Sequence, residues 1–357
     1  MRLVLKYLFS LLFLYLILYL LKSKATWVDT IYVKLFYNPY NAFLTKLFGW
    51  ISFSAGDIIY FVVICYLLYR FIRIMRLKEK KGIKIIQFII AGICIFLMTF
   101  NISWAINNYR TPLDKELRIE LVYTQDELLA TTQKLIGLTN AYQYEITHDS
   151  LQKVIIEKDL DYFNEISRNG YHKMATETDL PIQNIASAKP SLFSYVLTKM
   201  GFSGYFNPFT HEAQVNDLIP AIGLPVTTAH EIAHQLGIAK ESEANMLAFL
   251  VMTRQDNNTF RYAGYLYALK YCLKEVSNIN EEKFLHFHQQ LHPGVKENIL
   301  ETELFWEKHK NYSSKFFKVF YGNFLKINNQ KDGMYSYNRF VDLIVNYDKK
   351  YHNLDQS

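Results

Sequence analysis

Three apolar segments ahead of residue 110 constrain this chain more than any other feature. A helix needs about 20 apolar residues to cross a hydrocarbon core. "YLFSLLFLYLILYLL" (Tyr7–Leu21) reaches that length once Lys6 snorkels to the interface. A second segment runs from Ile51 to Tyr69 with Asp57 as its one charge, and a third, Ile85–Asn108, carries none. The expected spans are residues 3–22, 51–70 and 85–107. A cleaved signal peptide fits less well, because "KSKATW" lacks a small-residue cleavage pattern and further spans follow.

The formal net charge is +6, and much of the basic excess sits in "RFIRIMRLKEKKGIK" (Arg70–Lys84), between the second and third segments. That placement points to a lipid bilayer and away from nucleic acid. Such a loop stays in the cytoplasm. The N-terminus, with Arg2 and Lys6, then lies on the same side, and everything after Asn108 lies outside. The expected organisation is a membrane domain, 1–110, followed by an extracytoplasmic domain, 111–357. Asp57 is the one ionisable group within a span, and such groups are functional candidates by default. Its place near the outer end favours a plainer role, reaching headgroups or water. Three cysteines, two of them (Cys65, Cys94) in spans, leave only Cys272 outside and exclude a disulfide framework.

The outer domain reads as mainly α with a small β element. "TQDELLATTQKLIGLTNAYQ" opens with Thr124 and Glu127 at capping-box spacing. "AKPSLFSYVLTKM" reads as a helix with Pro190 near its start. The turn-rich Gly201–Pro225 stretch reads as one or two short strands. Helical spacing resumes through most of the C-terminal third.

Within this domain stands "TTAHEIAHQLGIAKESEANMLAFL" (Thr227–Leu250). On a helix, positions i and i+4 share a face, so His230 and His234 can reach one tetrahedral zinc ion. Glu231 points about a quarter turn away, where it can act as a base towards water without ligating the metal. The plainer alternative is that Thr228 and Glu231 only close a helix N-terminus, as their spacing allows. Against it, the apolar flank of Ala229, Ile232, Ala233 and Leu236 buries this helix, and buried imidazoles need partners. A third ligand must come from elsewhere, because Lys240 stands where one class of zinc peptidases has a third histidine. Glu241 shares a helix face with Ala244, Asn245 and Ala248, which favours Glu241 as ligand with Asn245 supporting it. Glu243 is the rival. His211 and Glu212 either line a cleft or form a solvated hairpin tip, and His288 and His292 read as cationic residues near a helix C-terminus.

"HEIAH" followed by "ESEAN" resembles the two motifs of glutamate-ligated zinc peptidases, the gluzincins, of which thermolysin is the familiar member. The fuller pattern "GYFNPFTHEA…LPVTTAHEIAHQLGIAKESEAN" behind three spans, with "FLKINNQKDGMYSY" near the end, resembles an uncharacterised bacterial membrane family, a domain of unknown function grouped with those peptidases. The resemblance implies a zincin-like domain, a multi-pass protein of the bacterial inner membrane with a periplasmic C-terminal domain, and a peptide or protein substrate. The expected chemistry is peptide-bond hydrolysis by a zinc-bound water with Glu231 as general base. The second stabiliser of the developing oxyanion is expected to be Tyr335 or Tyr337. The alternative is a catalytically inactive membrane sensor or scaffold that keeps the zinc fold. An intramembrane protease is excluded by Lys240, Glu241 and Glu243 beside the motif, and a transporter by the scarcity of polar groups in the spans.

Overall fold

The computed structural model describes residues 2–177, 182, 185–330, 339–352 and 354. α1 (Arg2–Leu21) is followed by a nearly unbroken helical run: α2 (Ala25–Trp27), a π-helical stretch (Val28–Tyr37) and α3 (Asn38–Phe48). α4 (Ala55–Met75) and α5 (Lys81–Ser103) come next. Among the described residues, three helices are long and apolar enough to cross a membrane, over Val4–Leu21, Ala55–Met75 and Lys81–Ser103. From Phe61 to Arg73 every α4 residue is exposed. A run so apolar and so exposed is consistent with membrane insertion.

Two span boundaries differ from expectation for local reasons. Ser54 accepts a hydrogen bond from the Asp57 N–H, so α4 starts at Ala55 and not at Ile51. α5 ends at Ser103, and a short 3-10 turn (Ala105–Tyr109) follows. Asn101, Ser103, Asn107 and Asn108 are buried in protein, which takes the end of the third apolar segment out of the lipid-like surface.

The rest of the chain is mainly helical with one small sheet. α6 (Leu113–Glu116), α7 (Gln125–Thr147) and α8 (Leu160–Glu177) precede β1 (Ala188–Pro190), α9 (Ser194–Met200), β2 (Gly204–Asn207) and β3 (Glu212–Val215). A 3-10 turn (Ala221–Gly223) leads into α10 (Leu224–Gln235) and α11 (Glu241–Thr253). α12 (Asn258–Ile279), α13 (Glu281–Gln290), α14 (Pro293–His309), α15 (Tyr312–Ile327) and α16 (Arg339–Tyr351) complete the described elements. α7 carries the capping box expected of Thr124 and Glu127. α11 is buried on every side from Ala244 to Thr253, as a helix apolar all round must be. It is enclosed by α10, α12, α8 and α16. Leu247 on α11, Leu269 on α12, Leu135 on α7 and Ile344 on α16 belong to one continuous core.

The sheet has the order β1-β3-β2, with β1 parallel to β3 and β2 antiparallel to it. Ala188 and Phe206 both register with Ala213. Pro190 ends edge strand β1 and does not open a helix; α9 begins only at Ser194. At an edge the missing N–H of proline costs no ladder bond. His292 precedes α14, with its Nδ1 2.7 Å from Gln143 Oε1, and burial lowers its pKa. His288 stands in the last turn of α13 as expected, and His292 just beyond it, but burial and the place ahead of α14 disfavour a cationic His292.

Buried polar contacts fix the sheet to the start of α4. Glu212 accepts from the backbone N–H groups of Ala55 (3.2 Å) and Gly56 (2.5 Å), and from Lys189 Nζ at 2.6 Å. Asp57 accepts from Ser191 Oγ (2.9 Å), Leu192 N–H (2.7 Å) and the Tyr205 hydroxyl. Two carboxylates thus serve the N-terminus of a membrane-type helix, where the dipole favours negative charge. Removing one partner of the Lys189–Glu212 pair strands the other in the interior, at a cost of about 3–5 kcal/mol. Lys189→Met should therefore lower the thermal unfolding midpoint of the full-length protein in detergent, and Lys189→Met with Glu212→Gln should recover most of the loss. Equal losses in both would contradict the pairing.

Candidate metal centre

α10 starts with Leu224 and Pro225, well before Thr228. Thr228 Oγ1 donates back to the Leu224 carbonyl at 2.9 Å, inside the helix, so Thr228 and Glu231 do not form its cap. Position i to i+4 spacing then sets the two imidazoles side by side, with His230 Nε2 3.1 Å from His234 Nε2. Gly237, with φ of 81°, ends the helix in the left-handed region, and Ile238 N–H closes back on the Ala233 carbonyl. The reversal is compact enough that the Ile238 carbonyl meets His234 Nδ1 at 2.6 Å. A carbonyl only accepts, so Nδ1 carries a proton, and Nε2 is the nitrogen that faces the cluster.

The same reversal delivers Glu241 as the first residue of α11. Its Oε2 lies 3.2 Å from His230 Nε2 and 3.8 Å from His234 Nε2. His230, His234 and Glu241 each offer one ligand atom, all within 4.8 Å of one another. Glu243 is turned elsewhere: it pairs with Lys240 Nζ at 2.7 Å and accepts from the Leu113 N–H. Asn245 is buried, one turn beyond Glu241, and its Oδ1 accepts from the Tyr267 hydroxyl at 2.8 Å.

The electrostatics of the cluster follow from burial and mutual contact. Burial alone would raise the Glu241 carboxyl, but the His230 and His234 imidazoles beside it hold it well below the usual range. Burial opposes the charged form of His234, yet the Glu241 contact outweighs it and lifts the pKa to about 9. Glu231, buried on the next helix position, is pushed up to about 7 by desolvation, against the pull of the two histidines. Among the described residues its Oε2 has no partner, and neither does His230 Nδ1. Three ligand atoms of metal-binding type converge here, and an unpaired carboxylate oxygen lies on the neighbouring position. That donor set, two imidazoles and a carboxylate, fits a zinc ion.

Tyr321, on α15, completes the surroundings. Its hydroxyl donates to Glu241 Oε1 at 2.5 Å, which leaves Oε2 for the histidine side. Burial and the nearby glutamates hold the Tyr321 phenol well above its usual pKa, so it stays a donor. Nothing local in the sequence marks this residue, which lies eighty positions from Glu241. Tyr335 and Tyr337 lie outside the described residues.

His211 and Glu212 are closed in on the side of the membrane-type helices. The His211 ring lies 5.0 Å from the Tyr37 ring and 4.9 Å from Tyr40, and burial lowers its pKa to about 4. Both residues are almost fully buried, so neither a cleft nor a solvated tip describes them. Asp57 likewise reaches neither headgroups nor water; it is fully buried against Ser191, Leu192 and Tyr205.

The segment between the first two apolar helices grips the end of α10. Tyr37 Oη donates to the Gln235 carbonyl at 3.2 Å, and Asn41 Nδ2 donates to the same oxygen at 2.9 Å. Arg110 Nη1 donates to the carbonyls of Leu236 and Gly237, both at 3.0 Å. Trp104, directly after α5, sets its ring edge-on to His234 with centroids 5.9 Å apart.

Residues 32–345 match the family described as Protein of unknown function (DUF3810). The chain belongs to that family. Membership in DUF3810 covers the grip segment from Tyr32, both later apolar helices, the cluster and Tyr321. No curated protein and no solved structure matches the chain.

Gly204, on β2, lies directly against Glu231. A Cβ there would come within 2.6 Å of Glu231 Oε1 and 2.7 Å of the Gln214 carbonyl. Overpacking of this kind costs about 1–3 kcal/mol. Gly204→Ala should lower stability by that amount in thermal unfolding of the full-length protein, whereas Gly223→Ala, with only Ile219 Cδ1 at 3.7 Å, should leave it nearly unchanged. Equal behaviour of the two variants would contradict the contact.

Proposed function

We propose that this protein is a membrane-anchored zinc metallopeptidase in which His230, His234 and Glu241 hold the metal and Glu231 is the general base. The observation that carries this reading is the convergence of the three ligand atoms beside a buried Glu231 whose Oε2 has no partner among the described residues. Zinc in such a donor set supplies a Lewis acid that polarises a carbonyl and acidifies water. The chain's own residues do the rest. Glu231, buried beside the cluster, is placed to accept a proton at Oε2, which meets no partner among the described residues, and to return one to a leaving amine. Ile238 fixes the His234 tautomer through its carbonyl, and Tyr321 orients the Glu241 carboxylate. β2 is an edge strand packed on α10, so its free edge offers backbone groups to an extended peptide beside Glu231.

The same reading places the protein in a bacterial inner membrane with α1, α4 and α5 as spans. The basic Arg70–Lys84 loop then lies in the cytoplasm and the metal centre lies on the periplasmic side. The resemblance to gluzincins and the Glu-x-x-Ala-Asn spacing of residues 241–245 support a zincin-like arrangement of α10 and α11. One observation favours a second reading, a sensor or scaffold without turnover: the side chains of His230, His234 and Glu241 are only 13%, 8% and 7% exposed. Turnover separates the two readings.

The test uses the full-length protein with a quenched fluorescent peptide library. Glu231→Gln should lower hydrolysis by at least about a hundredfold, the scale of general-base catalysis, while retaining the metal. Undiminished hydrolysis in that variant would remove Glu231 as the base, and no hydrolysis in metal-loaded wild type would leave the sensor reading.

A further inference from the structure

α15 has two faces with opposite duties. The inward face carries Tyr321 to Glu241, and beside it Gly322 and Leu325 are buried. The outward face shows Tyr312, Phe316, Val319, Phe320 and Ile327 at helical spacing, each between 57% and 91% exposed. Five large apolar side chains on one uncovered helix face form the pattern of a helix that lies in a membrane interface.

The position of α15 says what covers that face. Phe324 meets Phe100, in the last turns of α5, with ring centroids 5.6 Å apart. α15 also packs against α9, which follows Leu192, and the Leu192 N–H is bound by Asp57 at the first turn of α4. The start of α4 and the end of α5 lie at the same end of a helical hairpin. α15 therefore sits where the apolar belt of those helices stops. Leu192 and Tyr195, also exposed, continue the apolar surface from α9 towards α4. Lys315 and Lys326 are exposed and project along one border of the face, where their stems can run beside acyl chains while the ammonium groups reach phosphate.

We infer that the outward face of α15 is embedded in the outer leaflet at its headgroup boundary, in contact with anionic lipid, so that one helix is shared between the bilayer and the metal centre. This rests on α4 and α5 crossing a membrane with the Arg70–Lys84 loop in the cytoplasm, and it does not depend on zinc or on hydrolysis. The lipid contact is separate from the spans themselves: it is made by a helix more than two hundred residues later in the chain, which the apolar segments do not announce.

Spin-label accessibility on the full-length protein in nanodiscs of phosphatidylethanolamine and phosphatidylglycerol tests it. Cys65 is exposed halfway along α4, whereas Cys94 and Cys272 are buried, so wild type labelled at Cys65 is the lipid reference. Phe316→Cys and Phe320→Cys, each with Cys65→Ser, report on α15. The expected result is an oxygen-to-nickel-chelate accessibility ratio at both positions several-fold above that of free label in buffer, in the direction of Cys65. A water-like ratio at both, with Cys65 lipid-like, would overturn the inference. So would inaccessibility to both reagents, which would mean that protein, such as a second copy, covers the face. A water-like ratio at Cys65 itself would remove the span reading and this inference with it.

Discussion

The last carbonyls of α10 are the point on which the rest of the structure depends. A helix leaves its final carbonyls without internal partners, and a buried helix end must find them elsewhere. The last carbonyl of α10, that of Gln235, finds Tyr37 and Asn41, and the next two, of Leu236 and Gly237, find Arg110, all from the segments that flank the apolar helices. Gly237 makes this possible, since a Cβ there would stand 2.8 Å from both Arg110 Nη1 and Tyr37 Cε1. The tight reversal at Gly237 also sets the Ile238 carbonyl on His234 and brings Glu241 to the two imidazoles. One solution to an ordinary capping problem thus fixes the ligand geometry and joins it to the membrane-type helices.

The joint is reinforced on the other side of the sheet. Glu212 and Asp57 bind the first turn of α4 to β3, β1 and β2, and the β2–β3 turn carries Phe209 between Tyr60 and Phe96, with ring centroids 6.1 and 6.3 Å away. Chain cut at residue 110 would strip Tyr37, Asn41, Trp104 and Arg110 from the end of α10, leaving the Gln235, Leu236 and Gly237 carbonyls without these donors and one side of the His234 ring uncovered. The cluster is therefore best studied in the full-length protein. The segments flanking the apolar helices do more than tether a separable domain, because they supply part of the wall behind His230 and His234.

Features set by local chemistry were legible in the sequence, and features set by distant contacts were not. The apolar runs, the Thr124 capping box and the i, i+4 histidines all follow from residues within a few positions of each other. The preference for Glu241 came from side-chain direction on a helix, and the structure places Glu241 and not Glu243 beside the imidazoles. The Ser54–Asp57 spacing that starts α4 was also present as an N-cap signal, but the apolar residues from Ile51 onward masked it. The π-helical grip at residues 28–37 carries no periodic signature of its role, which comes from carbonyls some two hundred residues away. Tyr321 was equally hidden, because an amphipathic helix shows which face is apolar but not which hydroxyl meets a carboxylate. His211 and Glu212 looked like turn residues, and distant groups bury them: Tyr37 and Tyr40 against His211, Lys189 and the start of α4 against Glu212.

Metal content of the purified full-length protein tests the central claim most directly. Mass spectrometry on protein prepared without a metal-affinity step should give about one zinc per chain. His230→Ala and Glu241→Ala should lose it, while Glu243→Ala, whose carboxylate pairs with Lys240, should keep it. A folded wild type with no metal, or zinc retained in Glu241→Ala and lost in Glu243→Ala, would contradict the account.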